Sequence, residues 1–253
     1  MTPTTAGPDA FDPTRRSALV SGIFYLVTFI SSIPAAAILL PPVLEDPQYV
    51  LGAGADSQVI LGAVLDMINA FAAVGSAVAV FSIVKRQHEG LALGFVTTRL
   101  IEASIIAVGV VSLLAVVTLR QEGVAATDAS AAVMAGRALV AVRDWTFLLG
   151  PALMSALNGL MFATLLFRAR LIPRAIPALG LVGVPLQISW VIGTMFGLTG
   201  PGTIFQLIAT IPFFFWELGA GLWMTFKGFD RSAPIVAAAI AEANATIAGP
   251  ASA

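Results

Sequence analysis

The chain has 253 residues, of which 58% are hydrophobic and 11% are charged, and its mean hydropathy is +0.94. Soluble globular proteins carry about 25% charged residues, so this composition predicts an integral membrane protein. The net charge of −1 gives no indication of nucleic-acid binding. The absence of cysteine and the single histidine exclude disulfides, iron–sulfur clusters and paired-histidine metal sites, so we expect no cofactor and no metal.

Six apolar segments are each long enough to cross a bilayer as a helix, which requires roughly 20 apolar residues. They lie at residues 17–40, 58–84, 91–119, 142–167, 175–197 and 203–226. The segments are continuous and rich in Leu, Ala, Val and Ile, whereas the strands of a transmembrane barrel alternate in polarity. The sequence therefore predicts an all-α fold, a polytopic transmembrane bundle of six spans in contact with the lipid bilayer.

Positive residues concentrate in the connections on one side of these spans, which the positive-inside rule assigns to the cytoplasm. Nine lysines and arginines lie on that side: Arg15, Arg16, Lys85, Arg86, Arg168, Arg170, Arg174, Lys227 and Arg231. Only Arg120 and Arg137 fall in the opposite connections, with Arg143 at the membrane edge of the fourth span. This bias predicts a cell-membrane protein with both termini in the cytoplasm.

The domain organisation follows from the same pattern. Residues 1–16 are a cytoplasmic N-terminal segment, residues 17–227 are the six-span domain, and residues 228–253 are a flexible cytoplasmic tail. The N-terminus resembles a secretion signal, with a twin arginine and an Ala-x-Ala end. Because the apolar run continues to Leu40, we expect it to remain as the first span.

Polar side chains within the spans fall at similar depths. At a rise of about 1.5 Å per residue, six of them from four spans lie near the membrane midplane. They are Asp66, Asn69, Arg99, Glu102, Asn158 and Glu217. Each charged residue costs about 2.5 to 3.5 kcal/mol to insert at a helix centre, so we expect them to face one another inside the bundle. Arg99 and Glu102 are three residues apart and share one helix face.

The charges in this predicted belt do not balance, because Arg99 supplies one positive charge against the carboxylates of Asp66, Glu102 and Glu217. Either one or two of these acids are protonated at neutral pH, or a cation or cationic ligand fills the gap. Both solutions make proton coupling a hypothesis for the function. The alternative is a network of ion pairs that only fixes helix packing.

An aromatic run at residues 213–216 precedes Glu217 in the sixth span. Phe213, Phe214 and Trp216 are candidates for lining a pocket that would take a hydrophobic or cationic ligand. The alternative is that the aromatic run packs internally or faces lipid.

Three motifs together resemble a family of bacterial multi-pass membrane proteins that is known only as a domain of unknown function, the 4386 family. They are RLIEA at residues 99–103, LIPRAIPALGLVG at residues 171–183 and ELGAGLWMTFKGF at residues 217–229. The likeness covers residues 15–229. It implies six spans, a bacterial inner membrane and no assigned activity.

The resemblance implies a role for four positions of this chain, whereas the assignment of Asp66 to the polar belt depends on the depth estimate alone. The positions that match the family pattern are Arg99, Glu102, Pro173 and Glu217.

Three functions are compatible with these features. The leading hypothesis is binding or transport of a small cationic or lipophilic molecule through the mid-membrane polar site, with carboxylate protonation as the coupling step. Without a convincing inverted repeat, such a pathway would need a homodimer. The first alternative is a structural or accessory subunit whose buried ion pairs only fix helix packing. The second is an intramembrane enzyme acting on a lipid or quinone through Glu102 or Glu217, although no nucleophile or phosphate-binding motif accompanies them.

Overall fold

The computed structural model describes residues 12–52 and 54–248, and within them the protein is all-helical, with 85% helix and no β-strand. The helices are α1 (Pro13–Pro34), α2 (Pro41–Glu45), α3 (Asp56–Val84), α4 (Glu89–Gln121), α5 (Ala129–Phe147), α6 (Ser155–Ala169), α7 (Ala175–Met195), α8 (Ile204–Phe226) and α9 (Pro234–Ala248). A π-helical segment, Ala35–Leu39, extends α1, and another, Leu148–Met154, joins α5 to α6. Most of the predicted N-terminal segment, residues 1–11, lies outside the described residues.

Within the described residues, six continuous helices are long and apolar enough to cross a membrane, which agrees with the predicted number of spans. The fourth, Ala129–Ala169, begins well before the predicted boundary at residue 142. Its start is fixed by Asp128, whose carboxylate accepts a hydrogen bond from the backbone N–H of Ala131. Polar residues lower the hydropathy of its first turns, yet the small residues Ala132 and Gly136 are buried there against the neighbouring helices.

Each span packs against the spans before and after it in the chain, and the sixth returns to the first. The contacting pairs are α1 with α3, α3 with α4, α4 with α5 and α6, α6 with α7, α7 with α8, and α8 with α1. The spans therefore form a closed ring in chain order. This arrangement lets all six helices contribute side chains to one interior.

Both ends of the membrane domain lie at the same end of the ring. The guanidinium of Arg15, at the start of α1, donates hydrogen bonds to the backbone carbonyls of Met224 and Thr225, at the end of α8, over 3.2 and 2.9 Å. We call this end, which holds Pro13 and Phe226, the terminal face, and the opposite end the loop face. The terminal face is the one that the sequence assigns to the cytoplasm.

The helix α9 lies against the terminal face, in the segment for which the sequence predicts a flexible tail. Val236 and Ala239 are buried, and the carboxylate of Glu242 accepts two hydrogen bonds of 3.0 Å from Arg86, beyond the end of α3. Residues 249–253 of the predicted tail lie outside the described residues.

Two glycines allow α7 and α8 to pack closely. A Cβ atom at Gly183 would lie 2.8 Å from the backbone nitrogen of Phe213, and one at Gly180 would lie 2.6 Å from the indole of Trp216. These approaches bring Phe213 and Trp216 of α8 into the interior of the ring, whereas Phe215 is 55% exposed on its outer surface.

Candidate functional site

A cavity of about 320 Å³ lies inside the ring, and all six spans contribute to its lining. The lining extends from the middle of the bundle toward the loop face. In the first span it runs from Thr28 to Ala36, and in the sixth from Gln206 to Glu217. We call this space the central cavity, and its polar end lies at mid-membrane.

The polar end of the central cavity is organised around Arg99. Its Nη1 lies 3.1 Å from Oε2 of Glu102 and its Nη2 lies 3.2 Å from Oε1 of Glu217. The amide of Asn158 donates a 2.7 Å hydrogen bond to Oε2 of Glu102. Arg99 thus joins α4 to α8, and Glu102 joins α4 to α6. An ion pair that is almost fully buried needs such additional hydrogen bonds to offset its desolvation.

A second ion pair lies in the same cavity. Nη2 of Arg143, on α5, is 2.9 Å from Oδ2 of Asp66, on α3, and each side chain is 8% exposed. This corrects the prediction that Arg99 is the only cation of the belt, because Arg143 belongs to the cavity and not to the membrane edge. The lining therefore contains two arginines and three carboxylates among the described residues.

A signal for Arg143 exists in the sequence. Ala132, Gly136 and Arg143 are spaced by four and seven residues, which places them on one face of a helix, and all three are buried in α5. The predicted fourth span begins at residue 142, so it includes Arg143 but leaves out Ala132 and Gly136, which lie on the same helix face. Asp66, a mid-span acid with no assigned cation, also pointed to a missing partner.

The structure brings the residues of the predicted belt together. Five of the six line the central cavity: Asp66, Asn69, Arg99, Glu102 and Glu217. Asn158 is fully buried beside it and reaches the cavity through Glu102. Its Oδ1 atom, like Nε of Arg143, is buried without a hydrogen-bond partner in the part of the chain that the structure describes. Such atoms leave polar capacity at this end of the cavity.

Further polar side chains line the cavity at positions that the sequence analysis did not single out. They are Thr28, Ser32, Thr146, Ser155, Gln187, Gln206 and Thr210. The hydroxyl of Thr210, on α8, donates a 3.2 Å hydrogen bond to Oε1 of Gln187, on α7. Single hydroxyls and amides are common in transmembrane helices, so only the folded arrangement distinguishes these from packing residues.

An aromatic cluster, which we call the aromatic floor, closes the cavity toward the terminal face. It consists of Tyr25, Phe95, Phe162 and Trp216, each less than 2% exposed. The ring of Phe162 stacks on Phe95 at 4.5 Å and on Tyr25 at 5.8 Å between centroids. The guanidinium of Arg99 lies 5.0 Å from the centroid of Tyr25, so this cation contacts the floor as well as its carboxylates.

The three aromatic candidates of the sixth span divide between two roles. Phe213 and Phe214 line the cavity, whereas Trp216 belongs to the aromatic floor and packs 6.1 Å from Phe162. Phe214 meets Phe29 edge to face at 5.1 Å, and Phe147 lies 5.2 Å from the guanidinium of Arg143. The cavity thus combines a charged end with an aromatic wall, which consists of Phe29, Phe147, Phe213 and Phe214. No cluster of three or more potential metal ligands occurs in the described residues.

Residues 20–228 match the family model of a domain of unknown function, DUF4386. No curated protein and no solved structure matches the chain. The family match covers nearly the whole membrane domain and confirms the resemblance that was inferred from the three motifs. The chain belongs to the DUF4386 family.

Proposed function

We propose that the protein binds a small organic cation with an apolar body in the central cavity, as a step in carrying it across the membrane. One observation carries this proposal: a cavity lined by all six spans that has a charged end and an aromatic wall. Its volume of about 320 Å³ lies at the lower end of the range for small-molecule sites, about 300–1,000 Å³.

The charge of the lining favours a cation. When its three carboxylates and two guanidinium groups are all ionised, the cavity carries one excess negative charge. Glu217 shares Arg99 with Glu102 and is the more exposed of the two, at 15% against 6% of the side chain. It is therefore the carboxylate that an entering cation would meet with the least rearrangement.

The aromatic wall favours an apolar body on that cation. Phe29 and Phe214 both line the cavity, and aromatic rings attract an ammonium group and its substituents. A bare metal ion would gain little from such a wall, whereas an organic cation buries apolar surface against it.

Two features favour transport over simple binding. The cavity extends toward the loop face, while the aromatic floor separates it from the terminal face, as expected for one state of an alternating-access carrier. The π-helical segment around Pro151 borders the cavity, and such segments often mark functional positions in helices. Because the cavity forms within one chain, this pathway does not depend on the homodimer that the sequence suggested.

A proton would compete with the organic cation for the excess negative charge. We therefore expect tighter binding at pH 8 than at pH 5.5, and this competition is how carboxylate protonation would be coupled to transport.

The test is thermal unfolding in detergent at both pH values, with tetraalkylammonium and arylammonium ions and neutral alcohols of similar shape. A ligand at 100 times its Kd stabilises the native state by about 2.7 kcal/mol, which raises the Tm by roughly 5–10 °C at this chain length. The shift should be lost in Glu217→Gln and kept in Glu122→Gln, which changes an exposed carboxylate at the end of α4.

Equal shifts with the neutral alcohols, or no shift with any cation, would contradict the proposal. In that case the first alternative, a structural or accessory subunit, gains support, because Arg99 and Glu102 together already join three spans and would then serve helix packing only.

A further inference from the structure

A second cleft lies on the terminal face, where α6 and α8 end and α7 begins. Its volume is about 400 Å³, and its lining includes the cationic side chains of Arg170, Arg174 and Lys227 together with Trp223. The only carboxylate of this lining is that of Asp230. We call it the basic cleft. It is separate from the central cavity, and the proposed function makes no use of it.

Among the residues that the structure describes, no carboxylate pairs with the three cations of the basic cleft. Asp230 is occupied by its own turn, because its Oδ1 accepts hydrogen bonds from the side chain and backbone of Ser232 over 2.7 and 2.9 Å. These bonds hold the pKa of Asp230 below its usual value, so it stays ionised. The cleft therefore has a net charge of +2.

The backbone at Arg170 departs from the usual conformation of an arginine. Its φ of 54° is the only positive φ of a non-glycine residue in the described chain. This position follows the end of α6, where glycine is the favoured residue. The side chain of Arg170 donates no hydrogen bond within the described part of the chain, so an arginine in this conformation is better explained by what the side chain binds than by the fold.

The position of the cleft matches the headgroup layer of a membrane. Arg170 and Lys227 follow directly after the last residues of two spans, and Arg174 precedes the first residue of a third. Trp223 is a residue type that anchors helices at this depth. Toward the membrane interior, Leu222 and Phe226 of α8 are 41% and 70% exposed and offer a surface for acyl chains.

We propose that the basic cleft binds the phosphate group of an anionic phospholipid, with the three cations around the headgroup and the acyl chains along α8. Clusters of Lys and Arg at the cytoplasmic ends of spans attract anionic lipids.

Binding can be measured by thermal unfolding in detergent with added phosphatidylglycerol, phosphatidylcholine or inorganic phosphate. The wild type should be stabilised saturably by phosphatidylglycerol and much less by phosphatidylcholine. In the triple variant Arg170→Gln, Arg174→Gln, Lys227→Gln the apparent affinity for phosphatidylglycerol should fall by more than about 100-fold, because each direct hydrogen bond from a cation to the phosphate is worth roughly tenfold or more in affinity.

The matched control removes three cations from the same face but outside the cleft: Arg16→Gln, Lys85→Gln, Arg168→Gln. This variant should keep the affinity within a few fold. Equal losses in both triple variants would show diffuse attraction to the membrane surface and overturn the site. A saturable shift with inorganic phosphate as large as that with the lipid would overturn the assignment to a lipid.

The single variant Arg170→Gly separates binding from folding, because glycine accepts the positive φ without strain. We expect its Tm without lipid to equal or exceed that of the wild type, while its affinity for phosphatidylglycerol falls severalfold. An unchanged affinity in this variant would contradict the role of Arg170.

Discussion

Replacing Arg143 with methionine would test the ion pair that the sequence did not indicate. Methionine keeps an unbranched, flexible side chain but is shorter than arginine and has no charge, so Asp66 loses the guanidinium that lies 2.9 Å away. An unpaired charge at this depth costs about 3 kcal/mol, and breaking a buried ion pair by removing one partner costs about 3–5 kcal/mol. At 2–4 °C per kcal/mol, a cost of about 3–5 kcal/mol should lower the Tm of Arg143→Met in detergent by roughly 6–20 °C.

The second half of this test is the double variant Asp66→Asn, Arg143→Met. Removing both charges leaves no unpaired ion, so the stability of the double variant should return to within about 1 kcal/mol of the wild type, and its Tm should rise accordingly. The Tm values are compared at one scan rate, because unfolding of membrane proteins in detergent is often irreversible. A loss in the double variant as large as the sum of both single losses would refute the pairing.

Three further predictions follow from other parts of the bundle. Gly183→Ala should destabilise the protein by about 1–3 kcal/mol, seen as a lower Tm, because its Cβ would meet the backbone of α8. Gly200→Ala, whose Cβ would have nothing within 4 Å, should leave the Tm unchanged. Phe162→Ala should cost about 3–5 kcal/mol in thermal unfolding, because its ring is fully buried in the aromatic floor; a loss below 1 kcal/mol would contradict this packing. Arg86 holds the pKa of Glu242 below its ordinary value of 4.5 through hydrogen bonds. The ion pair should therefore protect α9 from proteolysis at neutral pH, and this protection should be lost as the pH falls below that value. In Glu242→Gln the rate of proteolysis should not show this pH dependence.

The sequence predicted the membrane bundle and most of the polar belt because both depend on simple regularities. Apolar runs of sufficient length identify spans, and helix rise converts residue number into depth. Arg99, Glu102 and Glu217 could be placed at one level from these rules alone, and the ion pairs of 3.1 and 3.2 Å lie at that level. The cost of isolated charges in lipid then leads to the expectation that they meet.

The remaining features depend on which helices are neighbours, and hydropathy does not contain that information. Arg143 was placed at a membrane edge because the polar first turns of its helix hide the start of the fourth span. Phe213 and Trp216 belong to one core cluster, yet Phe213 lines the cavity whereas Trp216 packs against Phe162 in the aromatic floor. The aromatic floor combines residues from four spans, so its existence follows only from the ring in chain order.

The proposed transport function requires a central cavity that is open to water at the loop face and closed at the terminal face by the aromatic floor. The chain has no cysteine, so single cysteines can be introduced without background, at Thr210 in the cavity lining and at Leu207, which is 57% exposed on the outer surface of the same helix. A cysteine at Gly200, in the loop before α8, reports which vesicle side is the loop face. We expect a membrane-impermeant cationic thiol reagent to label Thr210→Cys only from the loop face, with protection by a bound organic cation, and to leave Leu207→Cys unlabelled in lipid. No labelling of Thr210→Cys, or equal labelling from both faces, would contradict the account.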